Sequence, residues 1–222
     1  MSVIYDDFAE TFASSRKNLK WPEISYLLEQ ISQRDAIIDI ACGSWRLISW
    51  YQDTYWSMPD TYIWLDASEN ILIEARKPYP WFIFFHGNME NQDIYTTIKN
   101  KTKNTKKHIF CIAGFHHIND IWLRWQILSY WYDTLNPWEK VCMTNWALES
   151  QVNKDTYKSA MIHDTENEFW SHDFSIKIGK YTRWYHSFTL AELEYLADSA
   201  GFTILENRLS ESEKNFITIL EK

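Results

Sequence analysis

Asp39-Ile40-Ala41-Cys42-Gly43-Ser44-Trp45 continues straight out of the apolar run Ala36–Ile40, and this junction decides the fold. A short β-branched run that closes on an acid and then a glycine reads as a strand turning sharply into a helix. Further runs of the same kind recur at Tyr62–Leu65, Phe82–Phe85, His108–Ala113 and Val141–Thr144, then at Phe202–Leu205 and Phe216–Leu220. Between them lie helical patterns. Ile24, Leu27, Leu28 and Ile31 share a face behind Pro22, and Ile118, Ile121, Trp122, Trp125, Leu128, Tyr132 and Leu135 trace a longer stripe at period 3.6. Thr189 and Glu192 form a capping box ahead of Leu190, Leu193 and Ala197, with Gly201 where a helix end favours positive φ. Strands alternating with helices predict an α/β chain whose sheet is covered on both faces. The last two strands are close enough in sequence to form a hairpin.

The chain has 222 residues, enough for one α/β domain spanning 1–222, with a helical element over 1–35 and a cap-like insertion over 151–186. Its net charge of −8 argues against a protein that coats nucleic acid through bulk charge. Only the middle is basic: residues 99–140 hold 7 basic and 3 acidic side chains, including the run of lysines from Lys99 to Lys107. That run reads as a solvated loop or a frayed helix end. Cys42, Cys111 and Cys142 are widely spaced, and His86, His116, His117, His163, His172 and His186 show no metal-ligand spacing, so neither disulfides nor a metal is expected. No apolar stretch is long enough to span a membrane, and the acidic start is unlike a signal peptide. A cytoplasmic protein without membrane contact is the expectation.

In an open α/β sheet, ligands bind beyond the carboxyl ends of the strands where strand order reverses. Gly43 lets the backbone approach a ligand there, and Asp66, 23 residues further on, is a carboxylate suited to two ribose hydroxyls. On these residues alone, a helix-capping Asp66 beside an ordinary turn fits equally well.

Asp39-x-Ala41-Cys-Gly43, Leu65-Asp66-Ala67-Ser68, Gly87-Asn88-Met89 and Ile112-Ala113-Gly114-Phe-His116-His117 together resemble the class I S-adenosylmethionine-dependent methyltransferases. Tyr5-Asp-Asp-Phe-Ala9, Phe12, Arg16, Trp21-Pro22, Asn145-Trp-Ala-Leu-Glu149 and Tyr185-His-x-Phe188 more narrowly resemble the tRNA methyltransferases that esterify carboxymethyl-uridine at the wobble position. The resemblance implies a Rossmann-like, doubly wound seven-stranded sheet, mostly parallel with an antiparallel C-terminal hairpin strand. It places Asp39, Ala41 and Gly43 at the methionine part of S-adenosyl-L-methionine, Asp66 and Ala67 at the ribose, and Asn88 with Met89 at the adenine. Ala113 and Gly114 would lie under the sulfonium. Arg16 would pair with the cofactor carboxylate or an anionic substrate. His117, Arg183, Tyr185 and His186 are candidates for the acceptor, a splayed-out RNA base or a small molecule. Adjacent side chains point apart, so His116 and His117 are not both expected to face one ligand. A carboxylate acceptor would need no general base, and no catalytic residue is assigned. A small activator subunit is left open.

Trp45, Trp64 and Trp138 stand where the resembling family has glycine. The chain has 5 glycines and 13 tryptophans, whereas an average share would give roughly 16 glycines. One reading is that some of these tryptophans are UGA codons translated as glycine, with Trp21 and Trp146 genuine. The other is an authentic indole at position 45 that blocks the crevice, leaving a non-catalytic partner protein with this fold.

Overall fold

The computed structural model describes residues 21–43, 45–162, 167–178 and 181–222; Arg16 and Ser44 lie outside them. The strands are β1 (Ala36–Ile40), β2 (Tyr62–Asp66), β3 (Ile83–His86), β4 (Lys107–Ile112), β5 (Lys140–Trp146), β6 (Met161–Ile162), β7 (His172–Ile178), β8 (Tyr181–Ser187), β9 (Thr203–Leu209) and β10 (Asn215–Glu221). Seven of them form one sheet in the order β3-β2-β1-β4-β5-β10-β9. The first five run parallel, and β10 is antiparallel to both of its neighbours. All seven expected strands are present. The insertion holds a second, three-stranded antiparallel sheet, β6-β7-β8, which the reading of the sequence did not resolve into strands.

The central strands are buried along nearly their whole length because both faces are covered. Ile38 and Ile40 belong to one buried cluster, with α4 (Gln92–Lys101), α5 (Ile121–Thr134) and α7 (Leu190–Ser199) supplying its helices. Ile37, the residue before Ile38, faces the other cluster, beneath α1 (Pro22–Leu28), α2 (Arg46–Tyr55) and α3 (Glu69–Arg76). Alternate side chains of one strand thus serve two cores. A further short helix, α6 (Lys154–Tyr157), lies within the insertion.

Three local readings change. The buried face of α5 is Arg124, Ile127, Leu128, Trp131 and Thr134, while Trp122 and Trp125 are exposed; indoles on the stripe had been counted as core. The Thr189 hydroxyl accepts the Glu192 N–H as a cap should, but the Glu192 carboxylate turns instead to Arg124 at 2.7 Å and His186 at 2.8 Å. Of the tryptophans read as replacing glycine, Trp138 alone has left-handed backbone, at φ 70. Trp45 is extended at φ −170, and Trp64 is a fully buried member of β2 whose indole N–H has no acceptor among the described residues.

The lysine run splits between the end of α4 and the start of β4. Lys107 is buried and paired with Glu139 at 3.0 Å. Since β4 runs from Lys107 towards Ala113, these lysines mark the end of the sheet opposite the strands' carboxyl termini. No helix among the described residues is long and apolar enough to cross a membrane.

A buried ionic cluster ties the small sheet to the large one. His186 on β8 lies between Asp173 of β7 (2.7 Å) and Glu192 of α7 (2.8 Å), and Arg124 of α5 reaches Glu192. Burial raises the Glu192 carboxyl, but the bond from His186 and the Arg124 charge more than reverse this and hold it below its ordinary value. Removing one partner leaves a buried charge unpaired. Arg124→Met is therefore expected to destabilise the fold by roughly 3–5 kcal/mol in urea unfolding. Glu192 has a lowered folded-state pKa, so the stability it contributes is present at neutral pH and lost as pH falls below about 4.5. The wild type should lose stability through that acid range more steeply than Glu192→Gln.

Candidate functional site

β1 and β4 are neighbours whose following connections leave on opposite faces, so their carboxyl ends open a crevice. Its floor is made of backbone. Ala41 and Ala113, each the first residue after its strand, both adopt left-handed conformation (φ 52 and 55), and Gly43 follows at φ 61. A Cβ on Gly114 would stand 2.5 Å from the Ala41 Cβ and 3.0 Å from the Cys111 sulfur. With φ −118 at Gly114, the requirement for glycine there comes from close packing of the two turns and not from backbone conformation.

Asp66 ends β2 and faces this floor. Its Oδ2 accepts the Gly43 N–H at 3.0 Å and its Oδ1 accepts the Ser68 N–H at 2.9 Å. Both oxygens are oriented by main chain, and a carboxylate so held is suited to accept hydroxyl donors of a ligand. Deeper, Asp39 is 1% exposed and accepts the Tyr62 hydroxyl at 2.6 Å. Burial first, and the nearby Asp66 charge second, raise the Asp39 carboxyl to about 7 against the pull of the Tyr62 bond and the Arg46 charge. A cation arriving there would ionise it.

The opposite wall comes from the 3₁₀ turn Phe115–His117, the end of β5 and β8. His116 and His117 both line the crevice, contrary to expectation, because the tight turn sets their rings 4.6 Å apart at 72° instead of sending them to opposite sides. Burial lowers both: His116 well below its ordinary value and His117 to about 4. At neutral pH each imidazole is uncharged, and main-chain bonds assign its tautomer. The Trp146 N–H donates to His116 Nδ1 at 3.1 Å, so the proton of His116 sits on Nε2. His117 Nδ1 lies 3.2 Å from the Trp184 carbonyl, which only accepts, so His117 Nδ1 carries the proton and Nε2 the lone pair. Behind them, Trp146 and Tyr185 stack in parallel with centroids 5.0 Å apart. Arg183, 5% exposed, completes this wall.

Of the residues singled out in the sequence, Asp39, Ala41, Gly43, Asp66, Ala67, Asn88, Met89, Ala113, Gly114, His117, Arg183 and Tyr185 all border this one crevice. His186 does not: it is held in the ionic cluster behind β8. Reasoning from sequence missed His116, Arg46 and Trp146 as lining residues. Arg46, with its guanidinium 4.1 Å over the Trp21 ring, was legible as a basic residue at the start of the helix after Gly43. Trp45 is not among the lining residues and packs instead against the core beneath α1 and α2. The blocked crevice that an indole at 45 suggested is therefore not what the structure shows.

No family model matches the sequence, and neither does any curated protein. Solved structures do. An S-adenosylmethionine-dependent methyltransferase from Clostridium acetobutylicum superposes with a TM-score of 0.65 at 12% identity, covering 98% of each chain. The CcbJ methyltransferase of Streptomyces caelestis gives 0.68 at 12% identity over 100% of this chain and 98% of its own. CalS10, an amino pentose methyltransferase from Micromonospora echinaspora solved with S-adenosylmethionine bound, gives 0.58 at 10% identity over 95% of each chain. The fold is that of class I methyltransferases. In this methyltransferase fold the crevice lies at the reversal of strand order between β1 and β4, and its chemistry suits a nucleoside bearing a cation: a carboxylate presented to hydroxyls, a second buried carboxylate, and a floor free of bulky side chains.

Asp39 yields a signed prediction. Its folded pKa is raised from 3.8 to about 7, so the stability of the ligand-free protein should fall as pH rises between those values, because the folded state holds the proton the unfolded state has released. Thermal melts across that window should slope downward in the wild type, and Asp39→Asn should remove that part of the slope.

Proposed function

We propose that this chain is an S-adenosylmethionine-dependent methyltransferase that esterifies a carboxylate on a flat acceptor, read as the carboxymethyl-uridine of a tRNA wobble position. The observation that carries the acceptor reading is Arg183, a guanidinium almost fully buried in a crevice wall that also holds the aromatic pair Trp146 and Tyr185. A cation held out of water binds an anion far more strongly than one on the surface, and the flat rings favour a base-like group.

The residues present fit the cofactor. Asp66 would take the ribose hydroxyls, Asn88 and Met89 the adenine, Asp39 the amino acid end, and the turn of Ala113 and Gly114 the sulfonium side. When bound, the cofactor supplies an already activated methyl group. What remains for the chain is alignment and exclusion of water. Arg183 and the Nε2–H of His116 donate to the acceptor's anion and fix its direction. The Nε2 lone pair of His117 accepts an N–H of the acceptor ring and so reads which edge is presented. A carboxylate is ionised at neutral pH, so no proton needs to be removed.

A second reading, a free small-molecule acceptor, is favoured by the placement of the lysines. The basic run of residues 99–107 lies at the end of the sheet away from the crevice and offers no path for a polynucleotide backbone towards it. An amine acceptor would use His117 Nε2 as a proton acceptor, a weak one with a pKa near 4.

Incubation with methyl-labelled cofactor and either bulk tRNA or a metabolite extract separates the two readings. Label that enters tRNA and is released by mild alkali is the expected result, since an ester is labile and an N-methyl group is not. Alkali-stable label in the small-molecule fraction would replace the ester reading with the amine one. Absence of label in both fractions, together with no calorimetric heat of cofactor binding, would leave a non-catalytic protein of this fold. Asp66→Ala should weaken cofactor binding by roughly tenfold or more, the scale of losing a charged acceptor to two hydroxyls. Arg183→Met should raise the acceptor KM by a similar factor while leaving cofactor affinity unchanged.

A further inference from the structure

Six described residues other than glycine have left-handed backbone: Ala41, Trp56, Ala113, Trp138, Trp170 and Glu213, with φ between 52 and 70. The two alanines form the crevice floor. Of the other four, three are tryptophan, one of the side chains least suited to that conformation, since the clash of Cβ with the backbone is compounded by bulk. Left-handed bulky residues persist where surrounding contacts hold them. Here the surroundings do not, because the side chains are 92%, 72% and 81% exposed at positions 56, 138 and 170.

Each position has the geometry that glycine serves. Trp56 is the C-cap of α2, its N–H bonded to the Gln52 carbonyl at 2.9 Å. Gly201 takes the left-handed position just beyond α7, at φ 91. Trp138 is the third residue of the turn Asn136–Glu139, closed by the Glu139 N–H to the Asn136 carbonyl at 3.1 Å. With Pro137 in second place and positive φ in third, this is a type II turn, whose third residue is ordinarily glycine. Trp170 closes a turn on the Asn167 carbonyl at 3.2 Å. The composition leans the same way, with 5 glycines against 13 tryptophans. Trp146 and Trp131 contrast with these three: one is stacked on Tyr185, the other is fully buried with its indole N–H bonded to Tyr95 at 3.0 Å.

We infer that positions 56, 138 and 170 are glycine in the protein as its own cells make it, the tryptophans of the printed sequence standing for UGA codons that those cells translate as glycine. This rests on backbone conformation, exposure and composition, and is independent of the activity proposed above. It also removes three exposed indoles from consideration as a docking surface, since they are not side chains of the native molecule.

Peptide mass spectrometry of the protein purified from its native cells is the direct test. Glycine in the peptides covering 56, 138 and 170 is the expected result; tryptophan there overturns the inference. A second measurement needs only recombinant protein. The triple variant Trp56→Gly, Trp138→Gly, Trp170→Gly should melt several degrees above the printed sequence, roughly 5–10 °C for a chain of this size. Trp125→Gly, at an exposed but right-handed site inside α5, should melt below it, because glycine weakens a helix interior and the indole's bond to the Ser199 carbonyl is lost. A triple variant that melts no higher than the printed chain would show that these sites carry no glycine demand, and would overturn the inference as well.

Discussion

The divergence of β1 and β4 is the constraint on which the crevice depends. Two neighbouring parallel strands end together, and the chain leaves each through a left-handed alanine, at Ala41 and Ala113. The turns then pass so closely that Gly114 has no room for a Cβ. This packing puts main chain, and not side chains, at the base of the opening, and lets the Gly43 N–H reach Asp66 on the next strand. The two carboxylates acquire different characters from the same geometry. Asp66, part-buried and bonded by two N–H groups, is presented at the mouth, while Asp39, one strand over and sealed from water, holds its proton up to near neutrality.

Much of the fold was legible because its signals are local and redundant. Every strand of the central sheet announced itself as a short run of β-branched or apolar residues, and in the central strands β1, β4 and β5 burial on both faces explains why the runs are continuous and not alternating. The small sheet was not legible. Its strand His172–Ile178 does alternate, Phe174 and Ile176 buried against Leu148 and Tyr185 while Ser175 and Lys177 face outward, but the alternation is short and set among His, Asp and Trp, so it did not stand out from the insertion around it. The α5 stripe misled because tryptophan counts as apolar in a periodicity, yet Trp122 points into solvent.

The candidate site was legible on one side only. The residues of the strand ends could be found because glycine and acid at a strand-to-helix turn have a specific mechanical meaning. On the facing wall, Arg183 and Tyr185 were identifiable as a cation and a ring, but His186, one residue on, belongs to a buried ionic cluster completed by Glu192 of the next helix and Arg124 of α5. Glu192 is only six residues from His186, but Arg124 is 62 away, and a pairing at that separation leaves no trace in composition. The histidine pair failed for a different reason: the rule that neighbours point apart holds for strands and helices, and Phe115–His117 is a tight 3₁₀ turn.

The cluster joining Asp173, His186, Glu192 and Arg124 also bears on how a guest molecule is recognised. Swinging β8 away from the large sheet would break the contacts of His186 with Glu192 and Arg124, which join the two halves of that cluster, and leave buried polar groups without those partners, a heavy penalty for a hinge. The face that carries Arg183 and Tyr185 is thus clamped in place, its shape and polarity set by the fold itself.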